Sequence, residues 1–112
     1  MTNEQPSAAR RTLGGFADKL VDLTDDVLFG DVWERPELAA RDRSLITIAA
    51  LVAGGHTEQL PFHLDLGKSN GLTEEELVEA ITHLAFYTGW PRAMSAIAAA
   101  RTAFTPQTDS TA

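Results

Sequence analysis

An all-α fold is predicted for this chain by three observations. Apolar residues recur every three or four positions over most of its length. No segment alternates apolar and polar residues as a half-buried strand does. Helix punctuation is dense, with Thr73-Glu74-Glu75-Glu76, Gly54-Gly55, Asn70-Gly71 and Gly89-Trp90-Pro91 each marking a start or a stop.

The elements follow in order. Leu13, Phe16, Leu20 and Leu23 keep helical spacing, weakened at the start by Gly14 and Gly15. Thr24 is placed to cap a short second helix over residues 25–33, whose Asp25 and Asp26 suit the positive end of its dipole. Pro36 stops it. Asp42 is the expected N-cap of a helix over residues 43–53, ended by Gly54-Gly55. Leu45, Ile46, Ile48, Ala49, Leu51 and Val52 leave that helix apolar on nearly every side, so it must be covered all round. A domain this small shields such a helix only in part, and subunit association into a homo-oligomer is the natural remedy. Thr57 is expected to open the next helix, which closes at Asn70-Gly71 and carries an awkward Pro61. Thr73 to Glu76 form a capping box ahead of Leu77, Ile81, Leu84 and Ala85. Gly89 ends that helix, and Pro91 suits the first turn of a last one through Met94, Ile97 and Phe104. The expected organisation is one domain of about six helices over residues 11–104, between flexible tails at 1–10 and 105–112.

Composition narrows the function. Sixteen acidic against nine basic side chains give a net charge of -7 in 112 residues, the wrong balance for nucleic acid. The longest apolar stretch is too short for a bilayer, and residues 1–12 carry no apolar run of a secretory signal, so a cytoplasmic protein is expected. There is no cysteine, which excludes disulfides, thiolate metal sites and thiol nucleophiles. No phosphate loop, nucleophile elbow or dinucleotide fingerprint is present.

The polar residues worth weighing gather around one helix junction: Arg43, His56, Glu58, Gln59, His63, His83 and Trp90. His63 lies among Phe62, Leu64 and Leu66, either as a general acid or base or as a packed helix histidine bonded to a backbone carbonyl. Gln59 and Gly67 stand one turn either side of it. Glycine there leaves room for a ligand or for another backbone. Glu58 is either a dipole-stabilising carboxylate in the first helical turn or a proton-relaying partner of His63. Arg43 either holds a substrate carboxylate or is solvated. His83 reads as core or interface. The spacing His56-x-Glu58-x4-His63 matches no standard zinc pattern, and no metal is expected.

Longer runs carry a resemblance. Leu28-Phe29-Gly30-Asp31-Val32-Trp33, Arg41-Asp42-Arg43-Ser44-Leu45-Ile46-Thr47-Ile48, Glu58-Gln59-Leu60-Pro61-Phe62-His63-Leu64, Asn70-Gly71-Leu72-Thr73 and Ala85-Phe86-Tyr87-Thr88-Gly89-Trp90-Pro91 resemble, in order and spacing, the gamma-carboxymuconolactone decarboxylase family. The resemblance implies the helical fold of the alkylhydroperoxidase AhpD group, assembled as dimers within a hexameric ring. The peroxidase branch of that group has two cysteines where this chain has His56 and Gln59, so thiol peroxidase chemistry is excluded. It also implies a small carboxylic acid or lactone as substrate, in aromatic-acid catabolism, and no cofactor. In gamma-carboxymuconolactone the departing carboxylate sits on a ring carbon conjugated to the lactone carbonyl, so its electrons pass into that carbonyl as a dienolate. The protein then needs only to hold the carboxylates, stabilise the oxyanion and protonate carbon. By that resemblance Arg43 binds a carboxylate, His63 delivers the proton and Glu58 orients or reprotonates His63. Gln59, His56 and Trp90 line the substrate, Trp90 either as an apolar wall or as junction packing. Two function classes stay open: a cofactor-free lyase, and a small-ligand-binding or assembly protein on the same scaffold. A basic, polar pocket around Arg43 and His63 favours the first.

Overall fold

Backbone chemistry, more than apolar spacing, decides where the helices of this protein begin and end. The computed structural model describes residues 6–106, and the expected tails lie partly outside them. The chain divides between Leu38 and Ala39 into two compact units.

The first unit holds α1 (Ala8–Leu13), α2 (Asp18–Asp22), a π-helical stretch Leu23–Phe29 and a 3₁₀ turn Val32–Glu34. Residues 8–10, expected in the N-terminal tail, form the start of α1. Ser7 caps that helix, accepting from the Arg10 N–H at 3.0 Å while its own hydroxyl donates to Asp25 at 2.9 Å. The helix expected through Leu13 and Leu23 is broken instead at Gly14 and Gly15. Gly15 takes φ 82° and donates its N–H to the Asp18 carboxylate at 2.7 Å, a turn only glycine adopts without strain. Phe16 is left 89% exposed. Thr24 does not cap a new helix, because α2 runs directly into the π-helical stretch. Its hydroxyl donates to the Leu20 carbonyl at 2.8 Å, a local bond available inside a helix.

The second unit holds α3 (Ala40–Gly54), α4 (Leu60–Ser69), α5 (Glu74–Thr88) and α6 (Trp90–Phe104). Two of its boundaries differ from expectation. Ala39, in extended backbone and with no side-chain cap, precedes α3, so Asp42 falls within the first turn and stands 3.6 Å from Arg41. There its charge still complements the dipole. The next helix, α4, begins at Leu60 rather than Thr57. Proline lacks an N–H and clashes with the carbonyl four residues back, so Pro61 belongs in a first turn. The other boundaries are as expected. Gly55 closes α3 at φ 74°, Asn70 caps α4 ahead of Gly71 at φ 110°, and Gly89 separates α5 from α6 at φ 99°. The capping box of α5 is complete, with Glu76 N–H donating to Thr73 Oγ1 at 3.0 Å and Thr73 N–H donating to Glu76 at 2.9 Å.

Short links fold the unit into two hairpins, α3–α4 and α5–α6, packed so that α3 lies on α5 and α4 on α6. The core joins Ile48 and Val52, Leu60 and Leu64, Leu77 and Ile81, and the small residues Ala93, Ala96 and Ala100. Each fully buried Leu or Ile contributes about 1.5–3 kcal/mol, and the alanines let α6 approach closely. Ile46 on α3 remains 59% exposed in the single chain.

Candidate active site

The hairpins bring four helix ends together at each end of the second unit, and the two ends differ in chemistry. At one, Arg41 pairs with Glu76 at 2.6 Å, Lys68 pairs with Glu74, and Asn70 donates to the buried Ser44 hydroxyl at 3.0 Å. Lys68 also lies 4.9 Å above the Phe104 ring. The Thr73 N–H, then Arg41, hold the Glu76 carboxyl below the usual carboxylate range. These contacts lace that end together.

The other end collects the close of α3, the start of α4, the close of α5 and the start of α6. Here stand His56, Glu58, Gln59, His63 and Trp90. Its charge is unusual for so acidic a chain. No Asp or Glu occurs between Asp42 and Glu58, or between Glu79 and Asp109.

His63 lies in the first turn of α4, half-buried, with its Nδ1 sealed from solvent. The Phe62 ring meets it edge-on, centroids 5.0 Å apart. Burial lowers its pKa below the ordinary imidazole value, because the charged form loses hydration. At neutral pH the ring is therefore mostly neutral, with one N–H donor and one acceptor nitrogen.

Gly67, one turn beyond His63, is buried. A Cβ built there meets Leu72 Cδ1 at 3.1 Å, Ile48 Cδ1 at 3.3 Å and Ser44 Cβ at 3.7 Å. The room that glycine leaves is taken by α3, not by a ligand. This contact also places Arg43. Half-buried, it precedes Ser44 at the start of α3, level with the close of α4, while His63 lies about 6 Å from Gly67 along α4 toward the other end, so Arg43 does not stand with the rest of the expected junction. The Arg43 carbonyl accepts the Thr47 hydroxyl at 2.8 Å.

The remaining expectations are met unevenly. His56, Glu58 and Gln59 are exposed in the connection ahead of α4, so Glu58 is not in the helix's first turn. It makes no hydrogen bond or ion pair among the described residues, and the structure does not bring its carboxylate onto His63. Trp90 is 57% exposed, edge-on to Phe86 with centroids 5.6 Å apart. It lines a groove of about 130 Å³ with Ile81, Ala85, Met94 and Ile97. His83 is not in the core but exposed, stacked on Tyr87 at 5.0 Å. It edges an α3–α5 groove of about 490 Å³ whose floor includes Leu45 and Leu84. Among the described residues no group of three or more His, Asp or Glu is arranged to hold a metal ion, and no helix is long and apolar enough to cross a membrane. Arg92, which the motifs did not single out, stands at this end beside Gly55. The signal for it was an arginine just after a Gly-Trp-Pro helix start in a long acid-free stretch.

Together these features define a small all-α bundle, tied by ion pairs at one end and carrying protonatable groups at the other. Comparison with known proteins gives the family. The model of the carboxymuconolactone decarboxylase family matches residues 18–102, and the chain belongs to that family. A 4-carboxymuconolactone decarboxylase of Acinetobacter baylyi is 42% identical over 92 residues, covering 82% of this chain and 69% of the relative. Nitrosuccinic acid decarboxylase npaB of Metarhizium robertsii is 32% identical over 95 residues, covering 85% and 66%. The chain thus spans about two thirds of each relative's length.

Proposed function

We propose that this protein is a cofactor-independent carboxy-lyase acting on a small carboxylic acid or lactone resembling 4-carboxymuconolactone. The observation that carries the reading is its similarity to two relatives both named decarboxylases. The family match encloses every candidate residue from Arg43 to Trp90.

The chemistry at the His63 end supports it. From the start of α3, away from this end, Arg43 is the proposed holder of a carboxylate of the substrate through its planar pair of N–H donors. As the bond to the departing carboxylate breaks, carbon dioxide leaves and the electron pair moves into the conjugated carbonyl. The neutral His63 imidazole donates to that developing oxyanion and then governs proton delivery to carbon. A cationic ring would instead pair with the departing carboxylate and stabilise the ground state, which slows the step. Gln59, one turn earlier, supplies amide hydrogen bonds. Glu58 and His56, both exposed, line the approach, and Glu58 returns a proton to His63 from solvent. Trp90 provides apolar wall at the same end.

The proposal includes a homo-oligomer, from dimer to hexamer, working in the cytoplasm. Ile46, Phe86, Tyr87, Trp90 and Met94 are all exposed in the single chain, an apolar surface that association would bury. The test supplies gamma-carboxymuconolactone, and separately nitrosuccinic acid, to the wild-type protein and follows carbon dioxide release. Turnover of either is the expected result, and a folded protein inert toward both overturns the reading.

A further inference from the structure

The Gly54-Gly55 corner between α3 and α4 carries two side chains parked on neighbouring α-carbons. A Cβ on Gly54 would stand 2.5 Å from Cδ2 and Nε2 of His56, and a Cβ on Gly55 would collide with Nη1 of Arg92. These α-carbons are about 3.8 Å apart. Both glycines are therefore needed for the imidazole and the guanidinium to lie where they do. Arg92 comes from the start of α6, so the corner joins two hairpins.

Neither group is engaged elsewhere. His56 and Arg92 are exposed and make no hydrogen bond or ion pair among the described residues. At the end of α3 the Val52 and Leu51 carbonyls accept from the Gly55 and His56 N–H groups, and Arg92 donates to no carbonyl there. Arg92 is thus not capping that helix. It also sits at the start of α6, where a cation is disfavoured by the dipole. No carboxylate of its own helix compensates, because the stretch from Ala80 to Gln107 has none.

We propose that Arg92 and His56 form a carboxylate-binding corner on the Gly54-Gly55 floor, holding the acid group that the substrate retains. This deepens the decarboxylase reading and rests on it for the reaction, though not for the binding. Arg92 opens α6 at the same end as His63 on α4, so a substrate with two acid groups presents the departing one toward His63 and the retained one to Arg92, and a mono-acid reaches only one of them. Arg92 is then a specificity-determining residue that selects di-acids.

The test titrates ¹⁵N-labelled protein with succinate, and with butyrate as a mono-acid of the same length. The amides of Gly54, Gly55 and His56 and the Arg92 Nε–H report the corner. Succinate should move these signals, butyrate should do so several-fold more weakly, and Arg92→Gln should weaken succinate about tenfold while Arg92→Lys loses less. With gamma-carboxymuconolactone, Arg92→Gln should raise KM about tenfold and leave kcat within about threefold. Signals that stay still, or that move equally in Arg92→Gln, overturn the proposal, as does a variant that only loses stability. A wild type that turns over no lactone yet shows the Arg92-dependent succinate response refutes the decarboxylase reading and upholds the corner. Turnover without that response, and with KM unchanged in Arg92→Gln, does the reverse.

Discussion

Replacing Gly67 by Ala tests whether α4 is held against α3 by the absence of a side chain. The added methyl would stand 3.1 Å from Leu72 Cδ1 and 3.3 Å from Ile48 Cδ1, where carbon atoms prefer about 3.5–4.0 Å. Both neighbours are buried, so each retreats only by displacing its own neighbours. Overpacking of this kind costs about 1–3 kcal/mol. Against it stands the helix-propensity gain of Ala over Gly, about 1 kcal/mol. The balance is a loss of about 1 kcal/mol, read as a lower urea midpoint with an unchanged slope at one fixed protein concentration. Because His63 lies one turn earlier on α4, activity should fall by more than the stability loss accounts for. A variant stabilised by about 1 kcal/mol, as an open surface glycine would be, refutes the close approach of the two helices.

Other perturbations read other parts of the account. His63 binds its proton less readily in the folded than in the unfolded chain. Stability should therefore rise with pH up to its ordinary pKa of about 6.5 and flatten above, and His63→Gln should remove that slope in pH-dependent urea unfolding. Thr73→Ala should cost about 1 kcal/mol by breaking the capping box. The part that Glu76 contributes is present above the carboxylate range and lost as pH falls through it, so the Thr73 effect should shrink in acid. Sedimentation should show an assembly larger than one chain at micromolar concentration, and Phe86→Asp with Met94→Asp should drive it toward monomer.

What was legible in the sequence is what leaves a side-chain trace. Thr73 and Glu76 announce their helix start because both side chains bond the backbone, and Gly55, Gly71 and Gly89 announce stops because their positive φ excludes other residues. The α3 start was misread because Ala39 caps it with backbone alone, while Asp42 nearby had the right chemistry at the wrong position. Thr57 misled in the same way, although Pro61 already held the answer. Leu13, Phe16 and Leu20 keep helical spacing across an interruption of the helix that only the Gly15 turn explains. The placement of Gln59 one turn ahead of His63 was readable from spacing, while their roles belong to the proposal. The missing Glu58 contact and the Gly67 packing depended on where α4 begins and which helix faces it. Arg92 was missed because its partners, Gly55 and the end of α3, lie far from it in sequence.

The central claim is that His63 carries the proton chemistry of a decarboxylase from the first turn of α4. The most direct measurement compares turnover of gamma-carboxymuconolactone by wild type and His63→Gln, with circular dichroism confirming that both are folded. The account predicts an active wild type and a variant slowed about a hundredfold or more at little change in helical content. A folded His63→Gln protein that turns over the lactone at the wild-type rate contradicts it.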